Sequence, residues 1–337
     1  MKVLIVKLSA IGDVVMALPM LTAIKRISPK THTITWLCGK GVAPLLQATD
    51  MIDELIVVDE QRLLAGTPCK QCAVLFTVWK KLFSRRFDLI VTGHTDTRYQ
   101  VLSITARAKQ RRSFKRWCIG GRANLISGRY HGYEYVRLID TTVDGPQADK
   151  LIWPTLKVEP SSELKSLLNN IPNQLICLAP GGASNVLSCV DIRRWPIEHY
   201  VELAKRLIEI GMSVVITGAN TDSWVCRSFK GLDVINLVGR TSILDLLALY
   251  RRADVVVTHD SGPFHIAYLA AKPKVVALFG PTKPSDFVPP LGFVKYLVAH
   301  ERFSCSPCYD GKTYASCNNN LCMQGISVRR VLAEVKE

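Results

Sequence analysis

Residues 258–286 read THDSGPFHIAYLAAKPKVVALFGPTKPSD. An apolar strand pattern, DVVVTHD over 254–260, ends in Asp260, Ser261 and Gly262. An Ala-rich helix pattern follows, then a second strand pattern, KVVALFGP, over 274–281. Strand, helix, strand in so short a span is a βαβ unit, whose two strands run parallel. The turn between the first strand and the helix therefore lies at a carboxyl edge, where open α/β sheets bind ligands. Asp260, Ser261 and Gly262 there present free backbone N–H groups and the positive end of a helix dipole, which suit a diphosphate. Pro263 fits the first helical turn, where a missing N–H costs nothing. His265, one turn in, fits donation to a phosphate or sugar hydroxyl better than a core position. Phe279-Gly280-Pro281-Thr282 closes the neighbouring strand and brings Thr282 to the same ligand.

The same alternation runs through the chain. Strand patterns at 2–8, 31–38, 55–59 and 87–93 are separated by helix patterns. After a Pro- and Gly-containing stretch near 140–160 the alternation restarts with strands at 175–180, 213–219, 234–239, 254–260 and 274–281. Near-continuous Val, Ile and Leu runs mark strands covered on both faces. The fold class expected is α/β: two doubly wound, Rossmann-like parallel-sheet domains, 1–160 and 161–337, facing a cleft. The final helix is expected to pack back on the N-terminal domain.

With 337 residues, 48% apolar and 21% charged, the chain has the composition of a folded two-domain globule. No window carries the apolar length of a membrane span, and Met1 leads straight into a strand pattern. A cytoplasmic protein is expected, peripheral to a membrane at most. The net charge of +15 is concentrated: residues 61–137 hold sixteen Lys and Arg against three acids. The densest part is Arg107–Trp117, RAKQRRSFKRW. Such a field attracts nucleic acid, an anionic membrane or a phosphorylated glycolipid.

Three further strand-to-helix junctions carry candidate chemistry. In KLSAIGDVVMALP the small residues Ser9 and Gly12 allow a ligand near the backbone, and Asp13 is either a helix cap or a general base. In APGGASNVLSCVDIRRWP, Gly181 and Gly182 again permit close approach, and the guanidinium groups of Arg193 and Arg194 suit phosphate oxygens. In TGANTDSW, Gly218 and Asp222 read either as a ribose contact or as an N-cap. No G-x-G-x-x-G follows the first strand, and no P-loop occurs.

Taken together, KLSAIGDVVMALP, PGGA with RRWP, and VVVTHDSGPFHIAYLAAKPKVVALFGPT resemble glycosyltransferase family 9, the ADP-heptose heptosyltransferases of lipopolysaccharide inner-core assembly. The resemblance runs from residue 2 to the Cys-rich C-terminal segment. It implies a GT-B fold and inverting transfer without a catalytic metal or other required cofactor. The C-terminal domain would hold ADP-heptose and the N-terminal domain an anionic acceptor, a lipid A-core precursor at the inner leaflet. By the same resemblance, Asp13 is the base and Arg193 stands where the family has a Lys on the diphosphate. Asp222 replaces a Glu on the ribose, and Asp260, Ser261, Gly262 and His265 form the donor loop. The stretch SNVLSCVDI before Arg193 is longer than in the lipopolysaccharide enzymes. Arg98 and Arg112 are candidate acceptor contacts.

Near the C-terminus, Cys305, Cys308, Cys317 and Cys322 form C-x2-C-x8-C-x4-C, a spacing that suits structural zinc or iron as well as it suits reduced thiols. Within the family, another nucleotide sugar, or a protein or small-molecule acceptor, stays open. Two rival classes use some of the same features. A sugar-nucleotide epimerase would share the donor turn. A basic nucleic-acid-binding protein would explain the charge, but the sequence holds no recognition module or aromatic RNA platform, so no nucleic-acid partner is expected.

Overall fold

The computed structural model describes residues 1–116, 121–183, 190–301 and 303–337. Trp117 of the basic run and residues 184–189 of the longer stretch before Arg193 lie outside them. The described chain divides into two compact units after Lys157.

The first unit holds strands β1 (Lys2–Val6), β2 (Thr33–Gly39), β3 (Glu54–Val58), β4 (Arg86–Thr92) and β5 (Arg107–Ser113). Their order is β3-β2-β1-β4-β5, all parallel. Its helices are α1 (Ile11–Ala17), α2 (Pro19–Ile27), α3 (Ala43–Gln47), α4 (Glu60–Ala65), α5 (Pro68–Leu82) and α6 (His131–Ile139), with a 3-10 turn at Thr97–Ser103. On one face of the sheet, Leu4, Val6, Ile56, Val78, Leu82 and Ile90 form a sealed core, each contributing about 1.5–3 kcal/mol by leaving water. The four apolar strands follow the sequence pattern. β5 does not: RAKQRRS carries no buried apolar run, because it is an edge strand defined by pairing with β4 rather than by a core face.

The second unit holds β6 (Leu175–Ala179), β7 (Ser213–Ile216), β8 (Ile235–Asn236), β9 (Val255–His259), β10 (Lys274–Leu278) and β11 (Val294–Leu297). Their order is β11-β10-β9-β6-β7-β8, again all parallel. Its helices are α7 (Ser162–Asn169), α8 (Ile197–Glu209), α9 (Val225–Ser228), α10 (Ile243–Arg252), α11 (Gly262–Leu269), α12 (Pro284–Phe287), α13 (Leu321–Gln324) and α14 (Val328–Lys336). The edge strand β11 was not expected from the sequence. α14 packs within its own unit. Val331 and Val335 join the core formed with α8, β9 and β10, and Lys274 Nζ meets Glu334 at 2.7 Å, so the final helix belongs to the second unit. The apolar stripe of α14 is complementary to its own domain's sheet.

Both sheets reverse winding direction at one place, between β1 and β4 in the first and between β6 and β9 in the second. At such a switch point the loops leave in opposite directions and open a crevice at the strands' carboxyl ends. Asp13 follows β1, and the Asp260–Gly262 turn follows β9.

Candidate active site

In the first unit β1 runs out at Val6, and Lys7 turns inward with only 3% of its side chain exposed. Its ammonium lies 3.4 Å from Asp13 Oδ2 and 5.4 Å from the centre of the Tyr135 ring. The Tyr135 hydroxyl donates to Asp13 Oδ1 at 3.0 Å, and the Ala10 N–H donates to Oδ2 at 3.3 Å. Asp13 is therefore a cap as well as a candidate base. Its side chain keeps 39% exposure. Burial works to raise its pKa, but the Lys7 ammonium, the Tyr135 hydroxyl, His131 and the Ala10 N–H together hold it below the ordinary aspartate value. An ionised carboxylate, oriented on two sides and open on the rest, can accept a proton from a ligand hydroxyl.

Around this pair, His94 Nε2 accepts from the Leu8 N–H at 2.9 Å, and the His94 ring stacks 3.7 Å from Tyr99. Burial and nearby Lys7 keep that imidazole's pKa well below its usual value, so it is a neutral brace for the β1 loop. The Ser9 hydroxyl is engaged by Glu60, whose carboxylate occupies the space a Cβ on Gly39 would fill. Gly12 is buried in the first turn of α1. Ser9 and Gly12 thus shape the loop that presents Asp13. Lys7, Tyr135, His94 and Glu60 were missed in the sequence. Of these only Lys7 left a trace, as a charged residue closing an apolar strand.

In the second unit, the Asp260–Gly262 turn is built on β9 and α11. Ser261 is the N-cap of α11 with extended backbone, its hydroxyl donating to the His259 carbonyl at 3.2 Å, and Pro263 sits in the first turn. Asp260 is buried, accepts from Thr282 Oγ at 2.7 Å, and lies 3.7 Å from Arg193 Nη1. Arg193 also rests 5.8 Å over the Tyr314 ring, and its buried Nε has no hydrogen-bond partner among the described residues. His265 is buried, with Nδ1 3.0 Å from the Tyr268 hydroxyl. His259, unremarked in the sequence, lies 3.2 Å from the Tyr200 hydroxyl, and burial with Arg193 and Arg194 nearby pushes its pKa down to about 3. Asp260, Ser261, Gly262, Thr282 and Arg193 are therefore brought together at the switch point.

Two expected contacts have different surroundings. Asp222 is 3% exposed, and its two carboxylate oxygens accept from the Gly182 N–H at 2.9 Å and the Ala219 N–H at 2.8 Å. It ties the loop after β6 to the loop after β7, and the carboxylate faces main chain. The same residue accounts for Gly181 and Gly218, since a Cβ on either would collide with the Asp222 side chain. Gly182 has φ +84°, and a Cβ there would meet Ser261. Arg194 donates to the Gly182 carbonyl at 2.8 Å and pairs with Asp191 at 2.6 Å, so it supports the Gly-Gly loop. In the first unit, Arg98 turns back on Asp96 at 2.6 Å, and Arg112 donates to the carbonyls of Leu138 and Ile139.

The Cys-rich segment braces the Gly280-Pro281 turn and the loop around Arg193. Ser306 Oγ donates to the Gly280 carbonyl, the N–H groups of Cys308 and Tyr309 both reach the Pro281 carbonyl, and the Asn320 amide donates to the carbonyls of Ile192 and Arg194. Burial raises the Cys322 thiol to about 11, with Cys308, Cys305 and Cys317 close enough to add to the shift. Among the described residues, no group of three or more His, Cys, Asp or Glu side chains is arranged to hold a metal ion.

Residues 76–317 match the family model of glycosyltransferase family 9 (heptosyltransferase). The chain is 28% identical over 313 residues to lipooligosaccharide heptosyltransferase 2 of Haemophilus ducreyi (strain 35000HP / ATCC 700724), covering 86% of each protein. It is 33% identical over 187 residues to lipopolysaccharide heptosyltransferase 2 of Escherichia coli (strain K12), covering 50% of this chain and 49% of that protein. Among solved structures, it superposes on the E. coli ADP-heptose lps heptosyltransferase II with TM-score 0.73 and 23% identity, over 100% of this chain and 98% of the other.

Proposed function

The chain belongs to glycosyltransferase family 9 (heptosyltransferase), and on that premise we propose that it transfers heptose from ADP-heptose to a hydroxyl group of a lipopolysaccharide inner-core acceptor. The observation that carries this reading is Asp13: a carboxylate held ionised by Lys7 and Tyr135, yet open, at the switch point of the first sheet. The names of the relatives supply the donor and acceptor class. The GT-B fold and the arrangement of Arg193 with the α11 terminus are in keeping with a nucleotide-sugar donor.

In this mechanism Asp13 takes the proton from the acceptor hydroxyl as its oxygen bonds to the anomeric carbon. Attack comes from the face opposite the diphosphate, so the configuration inverts. The bond from the anomeric carbon to the β-phosphate oxygen breaks, and ADP leaves with the electron pair. Arg193 and the N–H groups at Ser261 and Gly262 oppose the charge that develops on it. These groups do the work for which other transferases employ a divalent cation, and turnover is expected to survive EDTA. No helix of the described residues is long and apolar enough to cross a membrane. The basic first unit would meet the acceptor at the inner leaflet. The C-terminal cysteines enter as a brace for Arg193 and the Gly280-Pro281 turn, with no metal assigned to them.

Calorimetric titration in EDTA with ADP-heptose, ADP, UDP-sugars and GDP-sugars tests the donor. Selective binding of the two adenosine ligands is the expected result. A preference for a UDP- or GDP-sugar would keep the fold and remove the heptose assignment. ADP release that needs no acceptor would favour an epimerase or hydrolase in place of a transferase.

Tyr135→Phe tests the electrostatics. Losing one donor to the ionised carboxylate raises the Asp13 pKa. A base works in its ionised form, so the acid limb of kcat/KM moves to higher pH, with little change in rate at about pH 8. An acid limb that stays in place would show that the titrating base is another group.

A further inference from the structure

We propose that the recess between β5, the Thr97–Ser103 turn and the C-terminal end of α6 is a binding site for a phosphate-bearing sugar, the anionic part of the acceptor. The recess has a volume of about 980 Å³ and is lined by Arg111, Arg112, Arg116, Arg137, Gln100 and Asp144, among others. That volume lies at the upper end of small-ligand sites, about 300–1,000 Å³, and is far more than a lone phosphate needs.

Four guanidinium groups carry the inference, two of them because of what they are bonded to. Arg111 donates to Ser103 Oγ at 3.1 Å and to the carbonyls of Ser103 and Ala106. Arg112 donates to the carbonyls of Leu138 and Ile139 and to the Gln110 side-chain oxygen. These neutral acceptors fix the side chains in place and leave their charge uncompensated. Among the described residues, Arg111, Arg112 and Arg116 form no ion pair with a carboxylate. Arg137 lies 3.3 Å from Glu134, but that carboxylate also serves Arg129 at 3.1 Å. Asp144 is the one acid among the described lining residues, against four arginines. Like charges collected in a concave site and held there by carbonyls form a pre-organised receptor for an anion, and bidentate guanidinium geometry matches phosphate oxygens.

Position links the recess to the chemistry. Ser113 ends β5 and lines the recess, and the next residue, Phe114, packs edge-on against Tyr135 at 5.5 Å. Tyr135 donates to Asp13, and Arg137 follows it by two residues in α6. The recess is therefore built on the same two elements, β5 and α6, that hold Phe114 and Tyr135 beside the base. None of the described lining residues is aromatic.

The assignment of this anion as part of the acceptor rests on the transferase reading, but the binding test does not. Glucosamine 6-phosphate, glucosamine and inorganic phosphate are titrated by calorimetry, with no nucleotide sugar present, into the full-length protein and its Arg116→Gln/Arg137→Gln variant. Among the described residues these two side chains do not clamp main chain, and Glu134 keeps Arg129, so the variant should melt like the parent. The expected result is binding of glucosamine 6-phosphate that weakens at least about tenfold in the variant. Glucosamine should bind neither protein, and ADP should bind both equally. Equal affinity of the two proteins for the phosphosugar would overturn the site. Inorganic phosphate binding as tightly as the phosphosugar would overturn the sugar part of the assignment. Binding only to phosphatidylglycerol vesicles or to a short single-stranded RNA would replace the recess with a surface attraction. If ADP-heptose proves not to be a substrate while the phosphosugar still binds, the transferase reading fails and the recess stands.

Discussion

Asp13→Asn is expected to lower kcat about 10³-fold, within the span usual for loss of a general base, while ADP affinity stays within about twofold of the parent. Asparagine keeps the shape and can still accept from the Tyr135 hydroxyl through its carbonyl oxygen. Its amide, however, would point donors at the Lys7 ammonium and the Ala10 N–H, where the carboxylate now accepts from both. Asp13→Ala is the harsher variant, since it strands an ammonium that is 3% exposed. Both variants should therefore also lose stability. The sign with pH follows from the depressed carboxyl: its stabilising contribution is present above the unfolded aspartate value and is lost as pH falls through the folded one. The stability difference between parent and variant should accordingly shrink in acid. Single-turnover rates, ADP titration and thermal melts on the same preparations separate the two effects. A variant that turns over within tenfold of the parent and binds ADP normally would move the base elsewhere, with Glu60, hydrogen-bonded to Ser9, the first alternative.

The elements legible in the sequence were those whose identity is set by burial. β1, β2, β6, β9 and β10 are apolar runs covered on both faces, and the Asp260-Ser261-Gly262-Pro263 turn announces a strand ending and a helix beginning, whatever lies around it. The order of motifs also sufficed to identify the family. What escaped was set by pairing across distance. β5 is a strand because β4 offers it a ladder, and its sequence of charges records only that it is exposed. Tyr135 reaches Asp13 across 122 residues, a contact with no local signature. Asp222 shows a subtler limit. An acid after a strand reads equally as a ribose contact and as a cap, and only the fold shows that both its oxygens meet main-chain N–H groups.

Arg193→Ala is expected to raise the Kd for ADP about 10- to 100-fold, the equivalent of one or two charge-assisted hydrogen bonds, and to lower kcat by a further ~10²-fold because leaving-group charge grows in the transition state. Arg193→Lys should recover part of the affinity, since it keeps the charge but not the planar fork. The side chain is well placed for this effect: it is 17% exposed, supported by Asp260 and the Tyr314 ring, and its buried Nε has no hydrogen-bond partner among the described residues. The same contact with Asp260 creates an ambiguity, because removing the arginine leaves a buried carboxylate that accepts from Thr282 but has lost its neighbouring cation. Part of the lost affinity would then come from a disturbed donor turn. Asp260→Asn in the Arg193→Ala background resolves the two. If the turn was the cause, neutralising Asp260 restores ADP binding, whereas a direct phosphate contact leaves the double variant as weak as the single. His259 supplies an independent reading of the local field. Its pKa near 3 reflects burial first and the two neighbouring arginines after it, so removing Arg193 should raise it, measurably by NMR titration of the ring. A raised His259 pKa with unchanged ADP affinity would show that the arginine's charge reaches the turn but not the diphosphate, and would leave the α11 terminus to hold the phosphates without it.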